Sequence, residues 1–150
     1  MSGELWFYHL EQSSLEEVLP ELLEKTLSRG WRALVRAADD DRLKALDASL
    51  WTWREDSFTP HGRASDDHAD RQPVLLTTED ANANDAQCLF LLDGVVPVDV
   101  GAFERTIVLF DGQDESAVQA ARRLWKREAG EGRPVSYWRQ SPDGGWEKKA

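Results

Sequence analysis

Thr106-Ile107-Val108-Leu109-Phe110 is an unbroken apolar run, and two companions, Val74-Leu75-Leu76 and Cys88-Leu89-Phe90-Leu91-Leu92, come before it. A strand with one face in water alternates apolar and polar residues, whereas an unbroken run fits a strand covered on both faces. These runs are therefore expected at the centre of a sheet with helices on either side, which makes the fold class α/β.

The remaining segments fit that plan. Leu5-Trp6-Phe7-Tyr8 reads as a first strand, and Ser14 followed by Glu17 is a capping-box signal for a helix carrying Leu15, Val18, Leu19, Leu22, Leu23 and Leu27 on one face. Pro20 is expected to kink that helix or to mark its regular start, and Gly30 to end it. Ala33-Leu34-Val35 is a second strand, and Asp39-Asp40-Asp41 supplies caps for a helix with Leu43, Leu46 and Leu50 inward, running into Trp51 and Trp53. Asp114 or Ser116 caps a last long helix to about Glu128, and Pro134 to Trp138 reads as a final edge strand. Residues 54–72 are polar and aperiodic, which predicts a mobile loop within one domain spanning residues 1–150.

Composition narrows the function. With 28 acidic against 18 basic residues and a net charge of -10, most of the surface repels a phosphate backbone, so strong direct nucleic-acid binding is not expected. The chain of 150 residues suffices to bury roughly two-thirds of its unfolded surface in one core. Cys88 is the only cysteine, so no internal disulfide forms, and no segment approaches the roughly 20 apolar residues of a membrane span. A soluble, cytoplasmic protein without a membrane partner is expected.

The sequence carries few chemical motifs. Gly130-Glu131-Gly132 follows a helix instead of joining a strand to one, and no phosphate-cradling loop is present, so a nucleotide-binding α/β enzyme is only the alternative reading. His61, Asp66, His68 and Asp70 match no strong metal-ligand spacing. Neither a catalytic residue nor a metal or other cofactor is expected.

Against the acidic background stands Arg122-Arg123-Leu124-Trp125-Lys126-Arg127. Residues three and four apart share a helix face, so Ala117, Ala121 and Leu124 face the sheet while Val118, Arg122, Trp125 and Lys126 form an adjacent stripe. A guanidinium and an ammonium one turn apart, beside a large aromatic wall, suit a carboxylate attached to an apolar side chain. A solvated helix face whose cations complement the helix dipole fits the same residues. Phe58, alone in polar sequence, reads either as a partner-facing anchor or as a core plug.

Taken in order, these pieces resemble a known family. Phe7-Tyr8-His9-Leu10, Leu34-Val35-Arg36-Ala37, Leu50-Trp51-Thr52-Trp53, Asp56-Ser57-Phe58, Pro60-His61-Gly62, Leu89 to Gly94, Leu109-Phe110-Asp111-Gly112, Ala121-Arg122, Trp125-Lys126, Tyr137-Trp138 and Gly144-Gly145-Trp146 carry the likeness. The sequence resembles the chi subunit of bacterial DNA polymerase III holoenzyme over essentially its whole length. The resemblance implies a single-domain, Rossmann-like three-layer sandwich with a mostly parallel sheet and no nucleotide-binding loop. It also implies a non-catalytic clamp-loader adaptor that binds the acidic C-terminal tail of single-stranded DNA-binding protein, a tail ending in proline and phenylalanine. By position, Arg122, Trp125 and Lys126 match tail-binding residues and Trp51 an aromatic of the same surface, while Phe58 matches a residue used toward the psi subunit or a helicase. Val118 stands where enteric members carry a lysine, which makes this version of the site less basic.

Overall fold

In the computed structural model, the residues described are 4–11, 15–37, 39–52, 62–63, 73–78, 84–92, 103–143 and 146–148. Their elements follow in the order β1 (Glu4–Leu10), α1 (Leu15–Ser28), β2 (Ala33–Arg36), α2 (Asp40–Thr52), β3 (Gly62–Arg63), β4 (Val74–Thr77), β5 (Cys88–Leu91), β6 (Arg105–Asp111), α3 (Glu115–Gly130), β7 (Val135–Gln140) and β8 (Trp146–Lys148). The eight strands form one sheet in the order β3-β4-β2-β5-β6-β1-β7-β8, parallel throughout except for the antiparallel β7–β8 pair.

Alternation along the strands divides the core into two layers. Tyr8, Val35, Leu76, Phe90 and Leu109 point to one face, where they meet Val18, Leu19, Leu22 and Leu23 of α1 and Leu43 and Leu46 of α2. Phe7, Leu34, Leu75, Leu89, Val108 and Phe110 point to the other, where α3 contributes Ala117, Ala121 and Leu124. The chain travels in one direction across the sheet from β1 to β2 and in the opposite direction from β6 to β7. Because such crossovers keep one hand, reversing direction puts α3 on the opposite face from α1. The result is a Rossmann-like α/β/α sandwich.

Several sequence expectations are corrected in detail. α1 begins at Leu15, so Pro20 does not mark its regular start but lies inside it, where its missing N–H forfeits the bond to the Glu16 carbonyl. Gly30 ends α1 as expected, at φ 81°, with its N–H donating to the Leu27 carbonyl and that of Trp31 to Thr26. Of the three runs assigned to the centre, β5 and β6 are central, but Val74–Thr77 lies one strand from the edge. It is nonetheless buried along its length, because β3 pairs outside it and both core layers reach it. The expected edge strand β7 is internal, since the short, charged β8 pairs beyond it. The polar stretch 54–72 contributes β3, and the rest of it, with Phe58, His61, Asp66, His68 and Asp70, lies outside the described residues, as do Trp53 and the proposed Ser14 cap. Among the described residues no helix is long and apolar enough to cross a membrane.

Candidate functional site

The α3 surface is positioned by the turn that leads into it. The Gly112 N–H donates to the Leu10 carbonyl at 2.8 Å, the Gln113 N–H to Asp111 Oδ1 at 2.8 Å, and Asp114 caps the helix by accepting from the Ala117 N–H at 3.3 Å. A side chain at Gly112 would collide with the His9 ring and come within 2.9 Å of the Leu10 carbonyl oxygen. The turn therefore closes tightly over the end of β1.

From that start the helix settles its faces as its periodicity predicts. Ala117, Ala121, Leu124 and Glu128 are buried, and the two alanines allow close approach to the sheet. Val118 and Trp125 are half-buried on the flank of the same core layer, whereas Arg122 and Lys126 are exposed one turn apart. The expected stripe thus exists as two half-buried apolar residues alternating with two exposed cations.

Trp125 is one member of an aromatic cluster. Its ring lies 5.4 Å from that of Phe7 and 5.8 Å from Tyr137, the latter edge to face. Tyr137 in turn meets Phe110 at 6.1 Å and His9 at 6.0 Å, and its hydroxyl is 2.6 Å from His9 Nδ1. Sequence reasoning missed His9 and Tyr137 as site residues, because a strand-end histidine and an aromatic of a supposed edge strand carry no spacing that joins them.

The electrostatics keep this cluster uncharged. Burial pushes His9 below the ordinary histidine value; Glu11 pulls it up, and the Arg139 and Arg122 guanidiniums push it down. Burial likewise raises the Tyr137 hydroxyl, against the pull of Arg122 and Arg139. Arg122 therefore faces neutral groups on its sheet side, while Arg139 is held by Glu11 at 2.7 Å.

The remaining cations of the run are used differently. Arg123 is exposed. Arg127 Nε donates to the buried Glu128 at 2.8 Å, and Arg133 Nε donates to its second oxygen at 2.7 Å. Gly132, at φ 81°, donates its N–H to the Ala129 carbonyl while Arg133 donates to that of Glu128. Gly130-Glu131-Gly132 is thus a helix stop, with the left-handed residue supplied by glycine.

Trp51 lies in the last turn of α2, in the helix layer across the sheet from α3, and its side chain is outside the described residues. Phe58 lies wholly outside them. Among the described residues no three histidine, cysteine, aspartate or glutamate side chains group as a metal site.

Comparison with known proteins gives this arrangement its context. The family described as DNA polymerase III chi subunit, HolC, matches residues 2–136. A probable DNA polymerase III subunit chi of Rickettsia prowazekii is 25% identical over 153 aligned positions, covering 95% of this chain and 90% of that protein. The DNA polymerase III subunit chi of Pseudomonas aeruginosa is 29% identical over 113, covering 75% and 77%. A chain in a solved S. cerevisiae Dbp5 complex with ADP shares the fold with a TM-score of 0.58 at 13% identity, covering 93% of this chain but only 42% of its own length. With the match running through β1 to the start of β7, this chain belongs to the DNA polymerase III chi subunit family.

Proposed function

We propose that this chain is a non-catalytic adaptor of the clamp loader that captures the acidic C-terminal tail of single-stranded DNA-binding protein on α3. One observation carries the reading: Arg122 and Lys126 are exposed one turn apart beside a half-buried Trp125. The tail's terminal carboxylate and neighbouring acids pair with the two cations, and its last phenylalanine lies against Trp125, whose inner edge is fixed by Phe7 and Tyr137. Val118 extends the apolar floor where a further cation would strengthen the site. Trp51, at the end of α2 in the layer across the sheet from α3, is kept in this reading only on the family resemblance, as is Phe58, assigned to the second partner, the psi subunit or a helicase.

Net charge supports local recognition. At -10 the protein as a whole repels an acidic tail, so attraction must come from the paired cations at close range. Titration of a tail peptide with a free terminal carboxylate against its amidated form tests the capture. The free acid should bind at least about fivefold more tightly, and Arg122→Ala should erase that difference without moving the melting temperature. Equal affinities for the two peptides would refute carboxylate capture.

A further inference from the structure

On the other face of the sheet, beneath the C-terminal half of α1, lies a second basic and aromatic site. A cavity of about 210 Å³ is bounded by Trp6, Tyr8, Leu22 and Ile107 on its apolar side and by Lys25, Arg29 and Arg105 on its charged side, with Thr26 between them. Leu22, Tyr8 and Ile107 are buried, and Trp6 is half-buried. The volume falls below the roughly 300 Å³ of a drug-sized pocket and suits a single ring or branched chain.

The cations here are organised by aromatic rings. The Arg105 guanidinium lies 3.8 Å from the Trp6 ring centroid and 5.3 Å from that of Trp31, and Arg29 lies 4.6 Å from Trp31 on the exposed side. At these distances each guanidinium carbon sits over a ring face, an attraction that leaves N–H donors available to other partners. Arg105 uses one of them on Glu4, but at 3.5 Å and with the Glu4 side chain 47% exposed, a weak and displaceable pair. Arg105 Nε is buried and has no hydrogen-bond partner among the described residues. Lys25, in the last turn of α1, and Arg29, just beyond its end, are both exposed and put two more positive charges at the cavity rim. Glu21 and Glu24 lie beside Lys25 and Ser28 in a shallow depression next to the cavity.

We infer that this cavity binds a carboxylate carried on one apolar ring or branched chain, as in the last residue of a polypeptide or a free aromatic acid. The apolar group enters between Trp6, Leu22 and Ile107, and the carboxylate takes the place of Glu4 against Arg105 while meeting Lys25 and Arg29 at the rim. The sheet separates it from Arg122, so the inference stands apart from the tail-binding proposal.

Titrating the intact chain with N-acetyl-phenylalanine, its amide and phenylacetate tests it. N-acetyl-phenylalanine should saturate, with its amide at least about fivefold weaker. Lys25→Gln combined with Arg29→Gln, both exposed, should weaken binding at least as much, Glu4→Gln should strengthen it, and Arg122→Ala should leave it unchanged. Binding of N-acetyl-phenylalanine about tenfold tighter than phenylacetate would identify a chain terminus as the ligand, and equal binding a free acid. No saturation with either acid, equal binding of the amide, or loss in Arg122→Ala alone would overturn the inference.

Discussion

The Tyr137 hydroxyl lies 2.6 Å from Nδ1 of His9, joining β7 to the carboxyl end of β1 beneath the start of α3. The strands pair with Phe7 opposite Tyr137 and His9 opposite Arg139, so this bond crosses the ladder diagonally. It holds the ring that packs under Gly112 and the ring that supports Trp125 in one unit. Whatever disturbs His9 therefore reaches the α3 surface.

Stability should fall as the solution is acidified through the histidine range. Burial holds His9 below the ordinary value of 6.5, so the unfolded chain takes up the proton first as pH drops under 6.5. The loss starts there and levels off once the pH passes the folded-state value. Urea denaturation at pH 7.5 and pH 5.5, with His9→Gln as reference, checks the sign; an unchanged slope in the variant would assign the effect to other groups.

Glu128 works in the same direction at lower pH, although hydrogen bonding and not burial lowers its value. Burial works to raise its carboxyl, but the hydrogen bonds from Arg127 and Arg133 prevail and hold it below 4.5. Its contribution is fully present above 4.5 and is lost as pH falls through the depressed folded value. Glu128→Gln keeps the shape but removes the charge, and should cost about 2 kcal/mol at neutral pH, since bonds to charged groups contribute about 1.5–3 kcal/mol each and Arg127 is partly exposed. Acid unfolding of the variant should be shallower than that of the parent chain between pH 5 and pH 3.

The sheet was legible in the sequence because unbroken apolar runs leave few alternatives to strands covered on both faces. Strand order was not: Val74–Thr77 is as apolar as β5 yet lies next to the edge, and burial on both faces says nothing about how many strands lie beyond. The stripe of Val118, Arg122, Trp125 and Lys126 was legible from spacing on a single helix. Its backing by Phe7, His9, Phe110 and Tyr137 was not, because those contacts join residues from three different strands.

Gly112 should tolerate no side chain. A methyl group there meets the His9 ring and the Leu10 carbonyl, and the backbone contact cannot give way as a flexible side chain would. Gly112→Ala should cost about 1–3 kcal/mol and displace His9 from Tyr137, which a shifted His9 titration in NMR would report. Normal stability with an unmoved titration would mean that the turn relaxes freely.

Introducing a cation at position 118 offers the sharpest test of the α3 proposal. Val118 is half-buried one turn before Arg122, so in Val118→Lys the aliphatic stem can cover the same core flank while the ammonium reaches solvent beside the guanidinium. Stability should change by less than about 1 kcal/mol. Affinity for an acidic tail peptide should rise about two- to fivefold at low salt and return toward the parent value at high salt, where exposed charges are screened. Gln119→Lys, exposed on the neighbouring flank, makes the same change in net charge. If the tail reads total charge, the two variants gain equally; if it is seated between Arg122 and Lys126, only the lysine at 118 lies in line with it.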